Sequence, residues 1–374
     1  MAICPKCHSE GELCAECPNC HFHYVEAADL RKSHNDELLG DIVGGQYVPL
    51  ALIGEGGMGK IYRAKNKFID KTVALKVLKS EYMEDETLKD RFFREAQVVS
   101  ALDHPNIVKL YTCAPDEKHN QLFMAMELLV GKSLFYIIEK SVPDLKTMMN
   151  FFCEISSALG EAHKHGIFHR DLKPENVFIV TDDNGEEHAK VLDFGFARLQ
   201  GAAKKLTMAG VAFGTSHYMS PEQAMGVLDI TAACDIYALG VMLFQVVSGN
   251  LPYNHDSPME VMYDQVNKET PVCVPRPEYN PPKELIECIY KCMEKDPLKR
   301  YQDGNELHAA LEEINKKIDL DDVMASSPTI ISKTVLPPSQ DKPAGKLPKT
   351  LIILIAVVVI LALVVLGLFL TLNK

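Results

Sequence analysis

Three things are scarce in this 374-residue chain, and each scarcity narrows what it can be. Positive charge is in deficit: 39 Lys and Arg stand against 51 Asp and Glu, a net charge of −12, which argues against general nucleic-acid binding. No apolar run follows Met1. A cysteine-rich polar segment does, so no secretory signal is expected. Paired cysteine spacing is confined to the first 20 residues, which hold five of the 11 cysteines, while the other six are scattered from Cys113 to Cys292. Scattered thiols of that kind suit a reducing compartment. The remainder is ordinary for a globular protein, 47% hydrophobic and 24% charged, with one strongly apolar segment. The length accommodates a two-lobed catalytic unit plus smaller pieces.

What is present centres on His169 to Asn176, HRDLKPEN. The spacing of Asp171, Lys173 and Asn176 is too irregular for one helical face, so the stretch reads as a loop after a helix. Asp193-Phe194-Gly195 follows seventeen residues after Asn176. One carboxylate for a hydroxyl proton, an Asn and a second Asp for a hard cation, and a Lys for phosphate oxygens are the parts of metal-assisted phosphoryl transfer. These residues closely resemble the catalytic loop and metal-binding turn of protein kinases. The resemblance implies an α+β, two-lobed kinase fold, ATP as phosphoryl donor, and Mg²⁺ or Mn²⁺ held by Asn176 and Asp193.

Upstream, Tyr47–Leu50 and Ile61–Ala64 read as strands around Gly54-Glu55-Gly56-Gly57-Met58-Gly59. Glycines there let backbone amides approach phosphates. A lone glycine motif also fits dinucleotide-binding folds, but those require a helix next. Here a strand follows, and Val73–Leu78 carries a buried-looking Lys76. That order resembles bacterial Ser/Thr kinases, which implies that Ile53, Gly54 to Gly59, Ile61 and Ala74 surround the nucleotide and that Lys76 holds its phosphates. Residues 84–101 read as a helix with an apolar stripe of Leu88, Phe92, Ala96 and Val99. Glu95 at its edge matches the kinase residue that pairs with the lysine, with Glu86 as a rival and a solvated rim Glu as the plainer reading. In Leu122–Leu129 the resemblance makes Met126 the gatekeeper and gives the backbone of Glu127 and Leu129 to adenine.

Thr147–His165 reads as a helix capped by Gly166, delivering the chain to the loop. Residues 193–222 resemble an activation segment, with Ser220 where the family usually has Ala. Gly214, Thr215, Tyr218 and Lys173 resemble Ser/Thr rather than Tyr kinases. Thr207 is the leading phosphosite and Thr215 the second. A phosphate there would gain a charge-assisted bond from Arg170. Asp235 matches a residue bracing the catalytic loop, and Arg300 matches the partner of Glu222.

Residues 1–24 hold Cys4-x-x-Cys7 and Cys17-x-x-Cys20, each followed by His. Two such knuckles complete a tetrahedral zinc site, and the segment resembles a zinc ribbon. Cys14 forms a further CxxC with Cys17, and His8, His21 and His23 are alternative ligands. A thiol-bearing tail or a disulfide is the plainer reading. Residues 25–46 are expected to be a linker with one short helix at most, 47–315 the kinase domain (lobes 47–130 and 131–315), and 316–350 a flexible linker. Leu351–Leu370 lacks any polar side chain, and twenty residues at 1.5 Å rise give about 30 Å, a bilayer core. A single membrane helix is therefore expected over 351–372. Lys342, Lys346 and Lys349 before it place the kinase on the cytoplasmic side of the cell membrane.

Two readings follow. The first is an active, membrane-anchored Ser/Thr kinase acting on protein substrates and on itself, with a kinase-domain homodimer among its partners and no nucleic acid. The second is a pseudokinase scaffold that keeps the fold without the chemistry. Lys76, Glu95, Asp171, Asn176 and Asp193 are all present in order, which favours the first.

Overall fold

Lys71–Leu78, buried from Val73 onward, is the central strand of the smaller lobe. The computed structural model describes residues 1–33, 36–57, 59–141, 143–194 and 215–326. Met58, Gly195, Thr207 and the 351–372 segment lie outside the described residues, as do the side chains of Glu95 and Thr215. Strands β1 (Ala2–Ile3), β2 (Glu10–Gly11) and β3 (Val25–Glu26) form a small antiparallel sheet, and helix α1 (Ala27–Lys32) follows. The next sheet is five-stranded and antiparallel. It comprises β4 (Tyr47–Glu55), β5 (Gly59–Asn66), β6 (Lys71–Leu78), β7 (Leu110–Asp116) and β8 (Gln121–Glu127), in the order β4-β5-β6-β8-β7. Helices α2 (Glu81–Glu84) and α3 (Glu86–Ser100) lie between β6 and β7.

Successive strand residues face opposite sides. Lys76 pairs in register with Ile61 and Met124, and Ala74 with Met126, so these share one face. Val73, Leu75 and Val77 take the other, where they join Tyr62, Phe123 and Ala125 in one buried cluster. That outer face is covered by the protein's own N-terminal segment: Val25, Leu30, Leu38, Leu39 and Val43 belong to the same cluster. Residues 25–46 are thus not the linker expected. Each buried aliphatic side chain contributes about 1.5–3 kcal/mol, which ties the segment down. Asp41 adds ion pairs to Lys118 and to His119 Nε2 (3.0 Å) in the β7–β8 turn.

The larger lobe begins with β9 (Gly131–Ser133), α4 (Leu134–Lys140) and α5 (Leu145–Lys164). Asp144 caps α5 by accepting the Thr147 N–H at 2.8 Å, satisfying a backbone donor left open at a helix start. Gly166 follows the helix with φ of +70°, a left-handed conformation that glycine adopts without strain. Strands β10 (Val177–Thr181) and β11 (Glu187–Val191) pair antiparallel beyond the catalytic loop. Helices α6 (Pro221–Ala224), α7 (Ala233–Ser248), α8 (Pro258–Asn267), α9 (Lys283–Cys292) and α10 (Gly304–Ser326) complete the lobe. Helix α7 is buried along its length. Helix α10 packs on α5 and continues to Ser326, past the expected boundary at 315, with Ile314 and Ile318 one turn apart in the core. Residues 316–326 are therefore helical rather than part of a linker.

Candidate active site

The loop that sequence reasoning singled out is shaped by a carboxylate far from it in the chain. Asp235, in the first turn of α7 and 1% exposed, accepts the backbone N–H groups of His169 and Arg170, each at 2.7 Å. Its Oδ2 also lies 3.0 Å from His163 Nε2. Burial alone would raise this carboxyl. The His163 hydrogen bond leads the interactions that outweigh burial and hold it below the usual carboxylate range. The clamp matters because Arg170 has φ of +65°, which costs a non-glycine residue energy unless its surroundings enforce it. Gln223 Nε2 donates to the Arg170 carbonyl at 2.7 Å and so fixes the same peptide from α6.

Asp171 emerges from this clamp. Its Oδ2 accepts from Lys173 Nζ at 3.0 Å, so the lysine and the acceptor-side carboxylate are adjacent. Asn176 donates its side-chain N–H to the Asp171 carbonyl at 2.8 Å. With the amide nitrogen so used, its carbonyl oxygen is the group left to face a cation. His169 lies with Nε2 2.8 Å from the Leu192 carbonyl, and Leu192 donates its N–H to the Asn176 carbonyl at 2.9 Å. The turn carrying Asp193 is thereby tied to the catalytic loop.

Asp193 has φ of +54°, a second non-glycine residue in the left-handed region. Its Oδ2 accepts from Lys76 Nζ at 2.8 Å, joining the two lobes across the site. Burial would raise the Asp193 carboxyl, but the Lys76 ammonium outweighs that and holds it below its ordinary value. An ionised carboxylate, an amide oxygen and an ammonium beside a second carboxylate fit a nucleotide phosphate accompanied by a divalent cation. The phenyl ring of Phe194 is buried and sits 5.1 Å from the His169 ring, centroid to centroid.

Above these groups, the glycine-rich stretch turns between β4 and β5. Gly56 donates to the Gly59 carbonyl at 2.9 Å. A side chain on Gly59 would overlap the Val77 backbone, whereas Gly56 and Gly57 face open space, where a phosphate could approach the Gly57 amide. Gly54, Ile61 and Ala74 line the adjoining strands, and Ile53 is half exposed at the rim. Met126 and Leu129 are half-buried. The Glu127 N–H already donates to Lys109 O at 2.9 Å, so its carbonyl is the hinge group free of that bond. The Glu127 side chain pairs with Lys190 Nζ at 2.8 and 2.9 Å, a link between lobes that nothing in the local sequence signals.

The expected brace is in place: Arg300 donates to both Glu222 oxygens at 2.8 Å. Ser220, which stands where the family usually has Ala, forms a capping box with Gln223. His163 and Gln223 were not anticipated. Both lie on helices near the loop, but their partners are 72 and 53 residues away.

A second cluster lies at the N terminus. The sulfurs of Cys4, Cys7, Cys17 and Cys20 all fall within 4.8 Å of one another. Its two knuckles share one backbone pattern: His8 N–H to Cys4 O at 3.0 Å, and His21 N–H to Cys17 O at 2.9 Å. Both histidines have positive φ, 60° and 62°. Cys14 stands apart, packed against the small-lobe core, where burial pushes its thiol pKa up.

Fold and site together have the two-lobed architecture of a kinase domain. The protein kinase domain model matches residues 47–313. Among curated proteins, the Ser/Thr-protein kinase pkn3 of Myxococcus xanthus is 36% identical over 77% of this chain and 53% of its own length. PrkC of Bacillus subtilis is 36% identical over 73% and 41%, and PknB of Mycolicibacterium smegmatis 35% over 70% and 41%. The chain belongs to the protein kinase family. It spans about half the length, or less, of these relatives.

Proposed function

We propose that the protein is an ATP-dependent serine/threonine protein kinase. The observation that carries this reading is the pairing of Lys76 with Asp193 and of Lys173 and Asn176 with Asp171, two groups tied together by the Leu192 N–H to the Asn176 carbonyl. Lys76 holds phosphate oxygens, Asp171 orients and deprotonates the acceptor hydroxyl, and Lys173 meets charge developing on the transferred group. Asn176 and Asp193 would hold the divalent cation that accompanies ATP, which supplies charge neutralisation. A scaffold without chemistry is disfavoured because each of these positions is filled. Transfer of labelled γ-phosphate from ATP to Ser or Thr of protein, and to the chain itself, is the direct test. Mass spectrometry of the same reaction is expected to place phosphate between Gly201 and Ser216, with Thr207 ahead of Thr215.

The thiolate cluster supports a structural zinc site. Zinc bound to four sulfurs at about 2.3 Å requires them roughly 3.8 Å apart, and the pairs Cys4–Cys20 and Cys7–Cys17 lie at 3.2 and 3.5 Å. One zinc per chain is expected, lost in Cys7→Ser and Cys17→Ser and retained in Cys14→Ser. Elemental analysis checks this. Retention in Cys17→Ser, or loss in Cys14→Ser, would overturn the ligand set.

The 351–372 segment supports membrane anchoring on its composition alone. Among the described residues no helix is long and apolar enough to cross a membrane. Deleting residues 350–374 is expected to move the protein from the alkaline-resistant membrane fraction to the soluble one with its phosphoryl transfer intact. Unchanged fractionation would refute the anchor.

A further inference from the structure

Asp36 lies outside the matched kinase domain and is placed as though it belonged to it. Its side chain is 3% exposed, a costly position for a carboxylate without partners. The partners are both on β5. Lys60 Nζ donates to Asp36 Oδ2 at 2.5 Å, and the Tyr62 hydroxyl lies 3.1 Å from both carboxylate oxygens. Lys60 directly follows Gly59, the last glycine of the phosphate-facing turn, and pairs in register with Val77. Ile61, between the two partners, is opposite Lys76. Asp36 therefore anchors the strand that carries one end of the glycine-rich turn and abuts the strand carrying the phosphate-binding lysine.

The turn that Asp36 opens runs back toward the cysteine cluster. In it Leu38 N–H donates to Asp36 Oδ1 at 3.0 Å and Leu39 N–H to Asp36 O at 3.2 Å. The turn ends at Gly40, whose carbonyl accepts the His23 N–H at 2.6 Å and whose N–H donates to Pro49 O at 2.8 Å. Gly40 has φ of +72°, and a side chain there would overlap the His23 carbonyl and crowd Pro5. Pro5 lies inside the first knuckle, and His23 follows the second. Both knuckles thus press on the end of the turn that begins with Asp36.

We propose that Asp36 is a positioning residue for phosphoryl transfer, holding the glycine-rich turn through Lys60 and Tyr62, and that zinc in the Cys4–Cys7–Cys17–Cys20 site keeps it there. The second half rests on the zinc reading above. Without metal, four thiol groups do not hold the knuckles in register, because such small modules take their folding energy from the ion. Gly40 and then Asp36 lose their support, and the turn over the phosphates loosens. Zinc takes no part in the chemistry.

The full-length protein in detergent is the sample, assayed for KM(ATP), kcat and amide hydrogen exchange over residues 54–62. Asp36→Ala is expected to raise KM(ATP) about tenfold, the scale of one lost charge-assisted hydrogen bond, with a smaller change in kcat and faster exchange in 54–62. Asp36→Asn keeps shape and one acceptor oxygen, so about a threefold rise is expected, and it replaces the alanine variant should that fail to fold. Removing zinc with a chelator should reproduce both effects in the wild type, add little in Asp36→Ala, and reverse on adding zinc back. If both Asp36 variants leave KM and exchange unchanged, the positioning role is wrong. If they act but zinc removal does not, the coupling is wrong and the positioning role stands. A protein that binds no zinc at all refutes the metal reading, and the Asp36 variants then still decide the positioning role.

Discussion

Asp171→Asn is expected to lower kcat for γ-phosphate transfer by about 10²–10⁴-fold, the usual worth of a positioned general base. KM(ATP) should change little, because the nucleotide contacts proposed above are Lys76, Asn176 and Asp193. The fold should not change either. The Asp171 carboxylate accepts from Lys173, whereas the loop is shaped by its backbone contacts: Asp235 to His169 and Arg170, and Asn176 to the Asp171 carbonyl. An amide of the same shape leaves all of these in place. Single-turnover kinetics with a melting curve separates the two effects. A variant that melts like wild type yet transfers phosphate at an undiminished rate would remove Asp171 from the mechanism, and the same outcome in Asp193→Ala would remove the cation site.

Arg300→Met should cost stability rather than chemistry. Arg300 is 2% exposed and donates to both oxygens of Glu222 and to the carbonyls of Ala233, Glu294 and Lys295. Removing one partner strands a buried carboxylate, which typically costs about 3–5 kcal/mol. For a domain of this size that is a fall in Tm of roughly 10 °C. The pH dependence has a definite sign. Burial works against ionisation of Glu222, but Arg300 outweighs it and holds the carboxyl below its ordinary value. In the wild type the pair therefore contributes fully above the unfolded value, about 4.3, and its contribution fades as pH falls through the lower folded value. In Arg300→Met burial is opposed only by the hydrogen bonds from the Glu222 backbone and the Ser220 side chain, so the carboxyl rises. The deficit should be largest at neutral pH and shrink on acidification. Chemical denaturation at several pH values measures it. A deficit that is flat with pH would mean that lost packing, not a stranded charge, is the cause.

The candidate catalytic groups were legible because phosphoryl transfer requires particular residue types at nearly fixed spacing, and Asp171, Asn176 and Asp193 fall within 23 residues. The strands and helices near them were legible for a related reason: Val73–Leu78 is a short apolar run interrupted only by Lys76, and Thr147–His165 carries a period of 3.6. Residues 25–46 were not. Val25, Leu30, Leu38, Leu39 and Val43 follow neither period, and they are buried by Val77 and Phe123, far along the chain. Six large apolar residues, the five named and Ile42, in a stretch otherwise small, polar or charged were the available signal. The ligand ambiguity at Cys14 was similarly invisible, because what removes that thiol from the cluster is its packing against the small lobe. His163 and Glu127 make bonds to Asp235 and Lys190 that no local pattern announces.

The covered outer face of the small-lobe sheet bears on how two copies of the protein could assemble. Val73, Leu75, Val77, Phe123 and Ala125 present a broad apolar surface of the kind that obligate subunit contacts use. In this chain residues 25–46 already lie against it, held by Asp36 and Asp41 as well as by burial. A second copy docking there would first have to displace them, exchanging one intramolecular interface for an intermolecular one. Any pairing of kinase domains would thereby be steered to other faces, and that steering would be lost wherever the N-terminal segment came away.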